Sequence, residues 1–226
     1  MTDLIPADEN TDVAAGLDMG GAVQKFSKET FNEIAGSQFM PRLQLMTSNS
    51  EKCKSGDFTT NHYALVKGSE HLDLGGEVDV LIIVWRPKAM RMGDQVLVYF
   101  DTEHPEFKRI EGDSTKPNSG CMYGPEFLVW IPEAKEFATF FMGSISARNE
   151  SGSVLTNLGQ AMTIAAQKIV NPRYTWFAPQ AKKCSNPIQL PAQADFDAAV
   201  EKFNNPVQSD IETVDEAVGD DGGRAR

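Results

Sequence analysis

Arg86, Lys88 and Arg91 stand close together between two β-branched and aromatic runs, Val78–Trp85 and Val96–Phe100. No acid interrupts them before Asp94, and Pro87 and Gly93 mark the stretch as the turn of a long hairpin. Cations at such a tip can neutralise phosphate oxygens, and aromatic side chains beside them can stack on bases. Further cations fall in segments that read as loops or element ends: Lys54 in the polar stretch 48–60, Arg148 near a helix start, and Arg173 at the opening of a last strand. With Arg86, Lys88 and Arg91 they form the candidate phosphate contacts. Trp85, Tyr63, Tyr123, Tyr174 and Trp176 are the candidate stacking platforms, each worth about 1–3 kcal/mol per base. Tyr174 and Trp176 share a strand face by parity, so they are either both core or both exposed. Charge reversal of Arg86 and Lys88 is expected to weaken binding and flatten its salt dependence.

Catalytic signatures are sparse by comparison. The chain has no phosphate-cradling glycine loop, no dinucleotide fingerprint and no Gly-x-Ser-x-Gly elbow. Its three histidines, His62, His71 and His104, have no partner at metal-finger spacing, and Cys53 and His62 lie too far apart to signal a site. Asp73, Glu77 and Asp79 flank the first apolar run and could clasp a divalent ion, although solvated charge at a strand entry is the simpler account. No cofactor and no resident metal are expected.

The elements that must position these residues are mostly strands. Phe39–Thr47 alternates apolar and polar residues, and Asn61–Lys67 sets Tyr63 and Leu65 on the face opposite Ala64 and Val66. Val78–Trp85 is apolar almost throughout, as in a strand covered on both faces. A polar excursion, 102–120, precedes a second hairpin of Met122–Ile131 and Phe137–Gly143 around Pro132–Lys135. Its rings read mainly as core. Short helices are expected in 25–35, in 144–158 and in Asp195–Phe203, while 161–170 is ambiguous between helix and strand. The pattern predicts a mainly β fold: an antiparallel barrel or sandwich with hairpin excursions and two or three short helices.

The net charge of −11 is concentrated at the ends: residues 1–20 carry −5, residues 207–226 carry −4, and the remainder only −2. The body is therefore open to an anionic partner despite the whole-chain acidity. Expected boundaries are a disordered acidic segment over 1–21, a single β-rich domain over 22–206, and a disordered acidic tail over 207–226. No apolar run approaches the roughly 20 residues of a membrane span. The first 21 residues have no secretory pattern, so a cytoplasmic protein is expected, in the host cytoplasm if the source is viral. Three dispersed cysteines argue against a disulfide framework.

A compact β-rich body with basic and aromatic loops and an acidic tail resembles the phage-type single-stranded-DNA-binding proteins built on an OB fold. The likeness is architectural, covering about residues 39–180 and the tail. The stretch Tyr123-Gly-Pro-Glu-Phe-Leu-Val-Trp-Ile-Pro looks like those of phage proteins. The resemblance implies an antiparallel OB-like barrel and a non-enzymatic protein that coats single-stranded DNA, or RNA, in phage-type replication or recombination. It implies little sequence preference, a tail that occupies the basic groove when substrate is absent, and recruitment of replication proteins through that tail. A homo-oligomer fits the same picture. The tail ends Gly222-Gly-Arg-Ala-Arg rather than in the hydrophobic residue such tails use for docking, which bears on recruitment and not on autoinhibition. Two alternatives stand beside it: a phage virion or assembly component, and a metal-dependent enzyme of nucleic-acid metabolism using Asp73, Glu77, Asp79 or Asp101.

Overall fold

The computed structural model describes residues 24–27, 40–93, 95–116, 118–170, 172 and 175–205. The expected segments 1–21 and 207–226 lie outside these. Among the described residues the chain is mainly β, with ten strands in one sheet and four helices.

The strands are β1 (Gln24–Ser27), β2 (Arg42–Leu45), β3 (Tyr63–Lys67), β4 (Glu70–Asp73), β5 (Glu77–Arg91), β6 (Gln95–Tyr99), β7 (Cys121–Ile131), β8 (Glu136–Phe141), β9 (Ala161–Val170) and β10 (Thr175–Lys183). The main path runs β1-β6-β5-β7-β8-β2-β3-β4, and the β9–β10 hairpin joins the first residues of β5. All pairings are antiparallel except β2 with β8, which is parallel. The path does not close on itself among the described residues, so the sheet is mixed and open. The expected closed antiparallel barrel asked every neighbour to be a hairpin partner. The β2–β8 pairing joins strands far apart in sequence, which no local turn signal announces.

The strand β5 is the axis of this arrangement. It pairs with β9 over Glu77–Leu81, with β7 over Leu81–Arg91 and with β6 over Ala89–Arg91. The predicted turn at Arg86–Arg91 is therefore strand, and the chain reverses only after Arg91. Pro87 does not break β5 because it sits opposite Pro125 on β7, and a proline is tolerated where no ladder donor is required of it. The register shifts between Ile82 and Val84. Before the shift Val78, Val80 and Ile82 point into the main core. After it Trp85, Pro87, Ala89 and Arg91 take over that face, and Val84, Arg86, Lys88 and Met90 face the other way.

Two helices cover the first face. The helix α2 (Pro105–Asp113) buries Phe107 and Ile110 against Ala89, Tyr99 and Cys121. His104 caps it, Nδ1 accepting from the Glu106 amide at 3.1 Å, with Pro105 in the first turn. The polar excursion is thus helical in its middle. The helix α3 (Ile145–Leu155) starts at Ser144, whose Oγ accepts from the Ala147 amide, and contributes Ala147 and Val154 to the core of Tyr63, Leu65, Phe127, Val129 and Phe140. The opposite face is covered by α4 (Gln193–Asn204), whose Ala199 and Phe203 pack on Leu128. A single turn, α1 (Glu51–Lys54), interrupts the expected loop 48–60. The ambiguous 161–170 is strand β9. The helix expected in 25–35 begins instead as β1 over Gln24–Ser27, and the rest of that segment lies outside the described residues.

Candidate nucleic-acid interface

Two of the predicted phosphate contacts are committed inside the protein. Arg86 and Glu126 are opposed across the β5–β7 ladder. Arg86 Nε donates to Glu126 Oε2 at 2.8 Å, and Nη2 lies 2.6 Å from the same oxygen. Its guanidinium is sandwiched between the Phe100 and Phe203 rings, 4.0 and 4.2 Å from their centroids, and Nη1 donates to the Phe203 carbonyl. Lys88 Nζ donates to Glu126 Oε1 at 2.5 Å and lies 4.9 Å from the Phe141 centroid. The Lys88 and Glu126 side chains are 11% and 2% exposed. Burial raises the Glu126 carboxyl, but Lys88 and Arg86 outweigh it and hold the group down at about 2. Arg86 and Lys88 therefore form a core charge cluster and not a hairpin tip. The reason is Glu126, a lone carboxylate directly before the apolar run Phe127–Ile131. That isolation was the signal in the sequence that could have exposed the cluster.

Tyr63 is also removed from the stacking set. It is completely buried, its hydroxyl donates to the Ala165 carbonyl at 3.3 Å, its ring meets Phe140 edge-on, and burial pushes its phenol up. A ring packed on both sides has no face for a base. Trp176 is half-buried, Nε1 donating to Ser146 Oγ at 3.0 Å, which ties β10 to the first turn of α3. Arg173 and Tyr174 lie outside the described residues. Lys54 is exposed on α1, whose Cys53 packs beside Ala64 and Val66 of β3, a strand that does not pair with β5.

What the structure does bring together lies on the α2–α3 face of the β5–β7 ladder. Trp85 is 42% exposed there. Four residues along the strand, roughly 13 Å away, Ala89 is opposed to Tyr123. Pro87 and Pro125 lie between, so the strip joining the two rings carries no charge. Arg148, from α3, sits 5.4 Å from the Tyr123 ring centroid and donates through Nη1 to the Tyr123 carbonyl and to Ser114 Oγ. Phe107 supports the ring edge-on. Burial raises the Tyr123 phenol, with Glu111 adding to it. Arg91 follows on the same strand face, 39% exposed, with Glu106 Oε2 at 4.0 Å.

The excursion residues Lys108, Arg109 and Lys116 meet Glu103, Glu106 and Asp113 at 2.6–2.8 Å, and Arg109 shares Glu106 with Arg91. Exposed pairs like these are worth only about 0–1 kcal/mol each, so an arriving phosphate can replace the carboxylate at little cost. No such exchange is open to Arg86 or Lys88.

Asp73, Glu77 and Asp79 do not converge. Asp73 binds His62 at 2.9 Å, Glu77 approaches Lys182 at 3.6 Å, and Asp79 accepts from Thr163 Oγ1. Among the described residues no three histidine, cysteine, aspartate or glutamate side chains gather as a metal site would require. No described helix is long and apolar enough to cross a membrane. Comparison with protein-family models, curated proteins and solved structures returned no match.

Proposed function

We propose that this protein binds single-stranded nucleic acid, DNA in the first instance, with little sequence preference, in phage-type replication or recombination. The observation that carries the reading is the exposed Trp85 indole on the same sheet face as Tyr123 and its Arg148 partner, with Arg91 beyond them. Bases stack on Trp85 and Tyr123, while Arg91 and Arg148 meet phosphates. Stacking is indifferent to base identity, because every base presents a π-face. The reading needs such a face and not a closed barrel, so an OB-like role rests here on an open mixed sheet. Residues 207–226 compete for the same cations.

The test is a fluorescence titration with oligo-dT over a salt series. Trp130, which donates Nε1–H to the Gln189 carbonyl, is buried, and Trp176 is held by Ser146, so quenching should come chiefly from Trp85. Trp85→Leu should abolish most of the quenching and weaken binding. An unquenched wild type, with no shift of labelled oligonucleotide at low salt, overturns the proposal. Copurification with particles would then favour the assembly role.

A further inference from the structure

The core charge cluster opens onto a cavity of about 420 Å³. This volume lies within the range of small-molecule sites. Lys88, Glu126 and Arg42 contribute its charged lining, and Met90, Met122 and Phe141 are among its apolar walls. The cavity passes from this cluster to the edge where Ser144 and Ala147 of the α3 start meet Phe177 and Pro179 of β10. Its β5 lining, Lys88 and Met90, lies on the face of β5 opposite Trp85.

Charge and donors are unevenly matched here. One carboxylate, Glu126, serves both Arg86 and Lys88. Arg86 directs Nε and Nη2 to Glu126 and Nη1 to the Phe203 carbonyl, and lies between two rings. An ammonium has three donors, and the hydrogen bond found for Lys88 among the described residues uses one of them. A buried cation with spare donors, beside a single shared counter-charge, favours one more anionic oxygen. Burial lowers Lys88 from its ordinary value despite Glu126, and Arg86 and Arg42 push the same way, so an added anion relieves a real penalty. The methionines give the rest of the cavity a polarizable wall that adapts to an irregular apolar shape.

We propose that this cavity binds a small monocarboxylate with a flexible apolar body, its carboxylate on Lys88 and its chain along Met90, Met122 and Phe141. A carboxylate supplies the second negative charge that Arg86 and Lys88 lack beside Glu126, and Arg42 on the same lining draws an anion the same way. The ligand is defined by that chemistry, whether it arrives as a free fatty acid or as another aliphatic acid.

Isothermal titration of the full-length protein with decanoate, decanol and inorganic phosphate, at one ionic strength, tests the assignment. Decanoate should bind saturably with one-to-one stoichiometry, and decanol at least tenfold more weakly. Lys88→Met, which keeps an apolar stem of similar length, should bring decanoate and decanol to within about threefold of each other. Met122→Trp fills the cavity without touching charge and should abolish decanoate binding. It serves as the deciding variant if Lys88→Met does not fold. Octanoate and dodecanoate separate chain-length preference from headgroup binding. Equal affinity for decanoate and decanol, no saturable decanoate binding, full competition by phosphate at equal concentration, or unchanged binding in Met122→Trp would each overturn the proposal.

Discussion

Replacing Glu126 by Gln keeps the shape of the core cluster and removes the one carboxylate that pairs with Arg86 and Lys88 among the described residues. Arg86 and Lys88 then face each other, buried, without a counter-ion. The magnitude follows from the carboxylate itself. Its ordinary value of 4.5 falls to about 2 in the folded chain, and at roughly 1.4 kcal/mol per unit this is about 3.5 kcal/mol of stability. The cost of breaking a buried pair by deleting one partner, about 3–5 kcal/mol, agrees. A group whose folded value is depressed contributes fully above its unfolded value and loses the contribution as pH falls through its folded one. The difference between wild type and Glu126→Gln should therefore be complete at neutral pH. It should shrink below about pH 4.5 and nearly vanish near pH 2. Urea unfolding followed by far-UV circular dichroism should show the midpoint lowered by roughly 1–2 M at neutral pH. A loss below about 1 kcal/mol, or a difference that stays constant down to pH 3, refutes the claim that the cluster is buried and ionised. Charge reversal of Arg86 with Lys88 would set three carboxylates together in the core, so a salt slope measured on that variant reports unfolding and not DNA contact.

Other perturbations separate the proposed interface from the scaffold. Trp85→Ala should weaken oligo-dT binding by about 1–3 kcal/mol in direct titration while shifting the urea midpoint little, because the ring is 42% exposed. Arg91→Ala and Arg148→Ala should each lower the slope of log affinity against log salt by about one, and an unchanged slope removes that residue from the site. Truncation after residue 206 should tighten binding at low salt, and weaker binding would end the autoinhibition idea. Gly124→Ala should destabilise the protein by at least about 1–3 kcal/mol in thermal unfolding, because an added Cβ would overlap the Met142 carbonyl oxygen, which is backbone and cannot rotate away.

The sequence by itself determined the elements whose signals are local. The β7–β8 hairpin around Pro132–Lys135 follows from two aromatic runs and a turn. The helix Gln193–Asn204 follows from the spacing of Phe196, Ala199, Val200 and Phe203. The opposite faces of β3 follow from strand parity, with Tyr63 and Leu65 in one cluster and Ala64 and Val66 in another. The mainly β character follows from the same local patterns. Tertiary structure alone decided which cations meet solvent. Reading Arg86–Arg91 as a turn was reasonable from Pro87 and Gly93, yet the β7 strand, some 40 residues later, offers a carboxylate and an opposing proline that extend β5 through it. A side chain's charge is legible in the sequence, but its solvation is not. Solvation depends on a partner brought near by folding, as Glu126 is to Arg86 and Lys88, and on a one-residue register shift at Ile82–Val84 that chooses which face Trp85 occupies.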